Sequence, residues 1–155
     1  MLLLRPSIGK VKRKVFSSLA LQQQHQDLRE FILLAHGFSG CDSTSAIYGK
    51  GKKQLFKIFD ANASLMECVR IFNSADATTN EISKAGERLF LSLYGATSYN
   101  ISLDNQRYIL FPKSIKKIAP KLESLTPTSA SAAQHSFRTY YQVQVWCGNK
   151  ELVPE

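Results

Sequence analysis

Cysteine is scarce in this sequence: three residues, Cys41, Cys68 and Cys147, with no Cys-x-x-Cys pair among them. An odd, scattered set argues against a disulfide framework or a zinc site and fits the reduced thiols of an intracellular protein. Long apolar runs are missing too. None approaches the roughly 18 residues of a membrane span. The opening "MLLL", closed by Arg5 and Pro6, is too short for the core of a signal peptide. The expectation is neither a membrane partner nor secretion. Acidic residues are the third shortage, 12 against 20 Lys and Arg. The deficit is local: residues 1–57 hold ten basic and three acidic side chains, a net of +7, and residues 58–155 hold ten and nine, a net of +1. A basic first third suits a polyanion such as nucleic acid, although a solvated basic face has the same composition.

What is present is an ordinary apolar share over 155 residues, enough for one domain with a core. No internal repeat or low-complexity tract interrupts it. Residues 1–24 read as a basic tail and lead-in segment, with Lys10, Lys12, Arg13 and Lys14 clustered in "IGKVKRK". Residues 25–150 read as a helical domain and 151–155 as a tail. "QDLREFILLAHGF" carries a broad apolar stripe, and "QLFKIFDA" and "SLMECVRIF" have helical spacing. Thr78 and Glu81 have capping-box spacing ahead of a helix that Gly95 closes. A further helix runs from Ser102 and is bent or ended by Pro112. Thr126 and Pro127 predict an N-cap and first-turn proline. The last helix ends at Gly148, and "YQVQVW" is read as helix despite its alternation. The fold class is mainly α, a helical bundle.

One stretch, "GCDSTSAIYGKGKK", carries chemistry. Ser43, Thr44 and Ser45 predict the start of a short helix "STSAIY", with Asp42 at its mouth. A tight turn at Gly49 and Gly51 then leads into a second helix. Two glycines in three positions let backbone amides approach an external group. A helix N-terminus behind them offers free donors and a dipole to an anion. Gly49, Lys50, Gly51, Lys52 and Lys53 are therefore the candidate DNA-phosphate-binding residues, gripping a backbone without reading bases. The plainer alternative is a helical joint with solvated lysines and an aspartate that caps a helix.

Gly40-Cys41-Asp42, followed by Gly49, Gly51 and Lys53, resembles the segment of flap endonuclease and XPG-type (PIN-like) nucleases in which Gly-Cys-Asp precedes a helix-two-turn-helix. The longer wording around residues 36–53, together with "PTSASAAQHSFRTYYQVQVWCGN", is similar to a group of mobile-element-like animal proteins. The likeness covers about residues 5–150 for that group and 36–60 for the nucleases. It implies that Asp42 is one of several carboxylates holding two magnesium ions that clamp a phosphodiester. It also implies that the glycine hairpin binds duplex backbone with help from a potassium ion. Ser43 stands where the family often has an aromatic residue, and Gly-Lys-Gly-Lys stands where it usually has Gly-Ile-Gly-Pro.

Upstream of Asp42 the only acids are Asp27 and Glu30, on the polar face of a predicted amphipathic helix. A magnesium site needs more oxygen ligands. The chain therefore reads as the C-terminal part of a larger PIN-like α/β domain, with a missing N-terminal portion, and is not expected to cleave DNA by itself. With that portion missing, the apolar faces near residues 28–35 and 55–59 are expected to be exposed. His36 reads as a core or capping residue and His25 as surface. His135 and Arg138 read as packing or surface side chains. Cys41 has no basic trigger for nucleophilic work. Tyr140, Tyr141 and Trp146 read as helical core, and Lys113, Lys116 and Lys117 as a solvated helix end. No small-molecule substrate is evident.

Three functions follow: a duplex- or branched-DNA-binding module acting in the nucleus; a metal-dependent structure-specific endonuclease whose parent supplies the other carboxylates; and a helical scaffold with no nucleic-acid role. For the first, replacing Lys50 or Lys52 with Ala is expected to lower the salt slope of DNA binding by about one each.

Overall fold

The computed structural model describes residues 2–5, 14–17, 19, 26–115 and 122–150. The chain divides into two compact units, residues 1–32 and 33–155. In the first, the segment expected to be a tail contains a short antiparallel ladder: β1 (Leu2–Arg5) pairs with β2 (Lys14–Ser17), Leu2 opposite Ser17 and Arg5 opposite Lys14. Leucine, valine and phenylalanine suit a pleated strand, and the lysine count hid them. Lys10, Lys12, Arg13 and His25 lie outside the described residues, as do Lys116, Lys117 and the tail at 151–155.

The chain is mainly helical. Six α-helices occur among the described residues: α1 (Gln26–Phe38), which crosses from the first unit into the second, α2 (Lys52–Ala61), α3 (Met66–Asn73), α4 (Thr79–Leu93), α5 (Leu103–Ile115) and α6 (Ser129–Trp146). A 3-10 turn at Ala63–Leu65 leads into α3. The predicted capping box is present. Thr78 accepts from the Glu81 amide at 3.3 Å, and the Glu81 carboxylate accepts from the Thr78 amide at 2.8 Å. Gly95 and Gly148 leave their helices with φ of 67° and 77°, as their positions predicted.

Helix α5 runs through Pro112 to Ile115, so of the two expectations, bent or ended, the second does not hold; the proline has no amide to give the carbonyl four residues back, and the helix continues only three residues beyond it. One helix boundary differs from expectation. Helix α6 starts at Ser129, with Thr128, not Thr126, as N-cap accepting from the Ser131 amide at 3.2 Å. Thr126 is fully buried and donates to the Leu103 carbonyl, and its own carbonyl accepts from Arg107. A tertiary bond has claimed the residue that local spacing assigned to the cap.

The core of the second unit is built on α4 packed along α6, with α3, α2 and α5 against α4. Gly86 makes the α4–α6 approach close: a Cβ there would lie 1.8 Å from the Ser136 hydroxyl. Phe38 lies against Phe90 (ring centroids 4.8 Å apart), His135 (5.1 Å) and Phe72 (6.3 Å), so one side chain from the end of α1 meets α3, α4 and α6. Two long-range polar links cross the same core, while the buried Thr139 hydroxyl has no hydrogen-bond partner among the described residues. Tyr140 OH reaches the Ser74 and Ala75 carbonyls, and Gln144 donates to the Phe72 carbonyl at 2.7 Å. The apolar faces expected to be exposed are covered only in part: Phe31, Leu34, Ala35, Leu55 and Phe59 are buried, while Ile32 is 47% exposed. Of the three aromatics expected in the core, only Tyr140 is there. Tyr141 and Trp146 are each 37% exposed. His36, expected in the core or as a cap, is an exposed residue stacked on the Trp146 ring at 5.3 Å.

Candidate nucleic-acid interface

The segment between α1 and α2 is an irregular loop over residues 39–51, and the short helix expected at "STSAIY" is absent. Its place is taken by a tight turn. The amides and carbonyls of Cys41 and Thr44 bond each other at 3.2 and 3.3 Å, and the Thr44 hydroxyl donates to the Gly37 carbonyl at 2.6 Å. Thr44 thereby adds a second donor to a carbonyl in the last turn of α1, which also accepts from the Gly40 amide at 3.3 Å. Gly40 makes the turn possible. Its φ is 109°, and a Cβ would lie 2.6 Å from the Ala46 Cα. Asp42 is therefore not a helix cap. It is exposed at the tip of the turn and makes no hydrogen bond or ion pair with the described residues.

Among the described residues, no three His, Cys, Asp or Glu side chains form a metal-holding group. The several oxygen ligands that magnesium takes are not assembled around Asp42, so no metal-dependent step is derived for this chain. Cys41 Sγ lies 3.3 and 3.2 Å from the Ser43 and Thr44 hydroxyl oxygens, in contacts where either atom can donate. Burial pushes its thiol up, and the bonds from Ser43 and Thr44 outweigh this and leave it below its ordinary value.

The glycine turn forms as expected. Gly49 has φ of 66° with open space around it, and the Lys50 amide closes the turn on the Ile47 carbonyl at 3.0 Å. Gly51 is the N-cap of α2, with no side chain capping the helix and no acid in its first turn. The amides of Gly51, Lys52 and Lys53 make no backbone hydrogen bond among the described residues. The lysines divide. Lys50 is half-buried with its ammonium 4.9 Å from the Tyr94 ring centroid, and loss of solvent lowers its pKa. Lys52 reaches the Gly40 carbonyl at 3.4 Å. Lys53 is exposed, and Lys57, one turn further along α2, is exposed beside it.

Lys57 was missed by sequence reasoning centred on the glycines; its signal was the i, i+4 spacing from Lys53. The second missed group is Tyr94, 44 positions from Lys50, which no local pattern announces. His135 is half-buried and packs against Phe38 and Phe90. Its Nε2 donates to the Phe38 carbonyl at 2.9 Å, and burial lowers its pKa, against that hydrogen bond. Arg138 is exposed.

No protein-family model, curated protein or solved structure matches this chain.

Proposed function

We propose that the chain binds duplex or branched DNA through its phosphate backbone, without reading base sequence. The observation that carries the reading is the start of α2. Three amide donors without backbone partners lie at an uncapped helix end, and Lys52, Lys53 and Lys57 are exposed on its first two turns. Amide donors, the positive helix end and mobile ammonium groups together suit an oxygen-rich anion, and none of them distinguishes one base from another. The likeness of Gly40-Cys41-Asp42 and the glycine turn to the flap endonuclease segment supports the same reading, with α1, the loop and α2 standing for the helix-two-turn-helix. A PIN-like parentage and a nuclear site of action belong to this proposal.

The test is the salt dependence of binding to a duplex of fixed length. Each phosphate contact contributes about 0.9 to the log–log slope. Lys53→Ala and Lys57→Ala are expected to lower the slope by about one each, uniformly across sequences. Lys50→Ala is expected to change it less, because its ammonium lies on Tyr94. An unchanged slope in the Lys53→Ala/Lys57→Ala double variant overturns the reading.

A further inference from the structure

Beside the glycine turn lies a cleft of about 360 Å³, lined by Tyr48, Tyr94, Arg107, Glu123, Ser131 and His135 among others. Its size falls within the range of small-molecule sites, about 300–1,000 Å³. Tyr48 directly precedes Gly49 in the chain and is 47% exposed. The side chain that lines the cleft and the amides that begin α2 therefore belong to one short loop.

The lining is mixed in a particular way. Two phenol rings line it: the exposed Tyr48, and Tyr94, which has the Lys50 ammonium 4.9 Å from its centroid. Arg107 is a pure donor, with one N–H used on the Thr126 carbonyl, and Glu123 is an acceptor. Ser131 can do either. His135 uses Nε2–H on the Phe38 carbonyl, which leaves Nδ1 of the neutral ring as an acceptor. A lipid chain has no use for this polar set. A heteroaromatic ring with donors and acceptors along its edge uses both halves.

We propose that the cleft receives the base of an unpaired nucleotide whose phosphate lies against the glycine turn and the start of α2. The inference rests on the backbone-binding reading and makes it more specific: the preferred DNA contains an unpaired nucleotide instead of being continuously paired. The shared chemistry, a base plus a phosphate, is also that of a free nucleotide, and the experiment separates the two sources.

The experiment uses the full chain and a duplex carrying one bulged 2-aminopurine, compared with the same duplex in which 2-aminopurine is paired. Stacking on an aromatic side chain is expected to tighten binding of the bulged form about tenfold and to quench its fluorescence. Tyr48→Ala is expected to abolish both effects, and Tyr48→Phe to keep them. Tyr48 lies in a non-helical, exposed position outside the buried core, and the melting temperature of each variant is compared with that of the unaltered chain. Deoxyadenosine monophosphate is titrated in parallel. Tyr48-dependent binding of the mononucleotide without a preference for the bulged duplex assigns the cleft to free nucleotides. Equal affinity for both duplexes, no quenching and no mononucleotide binding overturn the cleft proposal and leave backbone binding standing. Failure to bind DNA or nucleotide in any form overturns both.

Discussion

His135 shows how a single side chain can set a pH limit. Its ring is half-buried against Phe38 and Phe90, and burial lowers its pKa from an ordinary 6.5. In the unfolded chain it takes up a proton near that value, and in the folded chain only at lower pH. Its contribution to stability is therefore complete above about pH 6.5 and is lost as pH falls through the folded pKa. Thermal unfolding followed from pH 7.5 to 5 is expected to show a falling melting temperature, and His135→Gln is expected to flatten that dependence. Cys68 has the opposite sign but lies far from physiological pH. Burial pushes its thiol up to about 11. Timed thiol labelling at pH 7.5 is expected to modify exposed Cys147 well before Cys68, which is 1% exposed. Equal rates would mean that the core around Cys68 opens readily.

At the scale of elements, the contact between α4 and α6 reverses an ordinary rule. Glycine within a helix is usually worse than alanine by about 1 kcal/mol. Gly86→Ala is nevertheless expected to destabilise this protein, because the added Cβ would meet Ser136 and force the helices apart. Urea titration of the two forms gives the sign directly, and a more stable Gly86→Ala variant would contradict the packing described. The elements also show what was legible in the sequence. Thr78 and Glu81 are three residues apart and cap each other, so spacing alone predicts the start of α4. Gly95 and Gly148 are equally local. The missed features are decided at a distance. Thr126 lost its cap role to a bond with Leu103, and the "STSAIY" helix gave way to Thr44 reaching back to Gly37. At the candidate site the glycine turn was readable, because Gly49 needs only its own φ. The division of labour among the lysines was not, because it depends on Tyr94.

For the whole molecule, Phe38 is the most consequential core residue to test. It is fully buried and touches rings from α3, α4 and α6. Phe38→Ala is expected to cost about 3–5 kcal/mol, a large share of the roughly 5–15 kcal/mol typical of a domain. Denaturant unfolding with the slope compared between forms checks this, and a loss below about 1 kcal/mol would show that the cluster is not central. The charge distribution acts at the same scale. On the proposed DNA-binding reading, the net of +7 over residues 1–57 is expected to draw a polyanion in before contact, and raised salt to weaken that attraction.

The turn that carries Asp42 is held by the far end of the chain. Ser43 donates to Gln142, and the Phe38 carbonyl accepts from His135, links that span 99 and 97 positions. Contacts of such separation form late, because the intervening chain must first be brought together. During synthesis, the loop that presents the glycine turn therefore gains its anchors only after α6 has been made. In a pulse-labelling refolding experiment, Gln142→Ala is expected to delay or weaken protection of the Cys41 and Thr44 amides, whose own bonds are local, without changing that of the α4 amides. The segment with the most chemistry is then anchored by the last described helix of the chain.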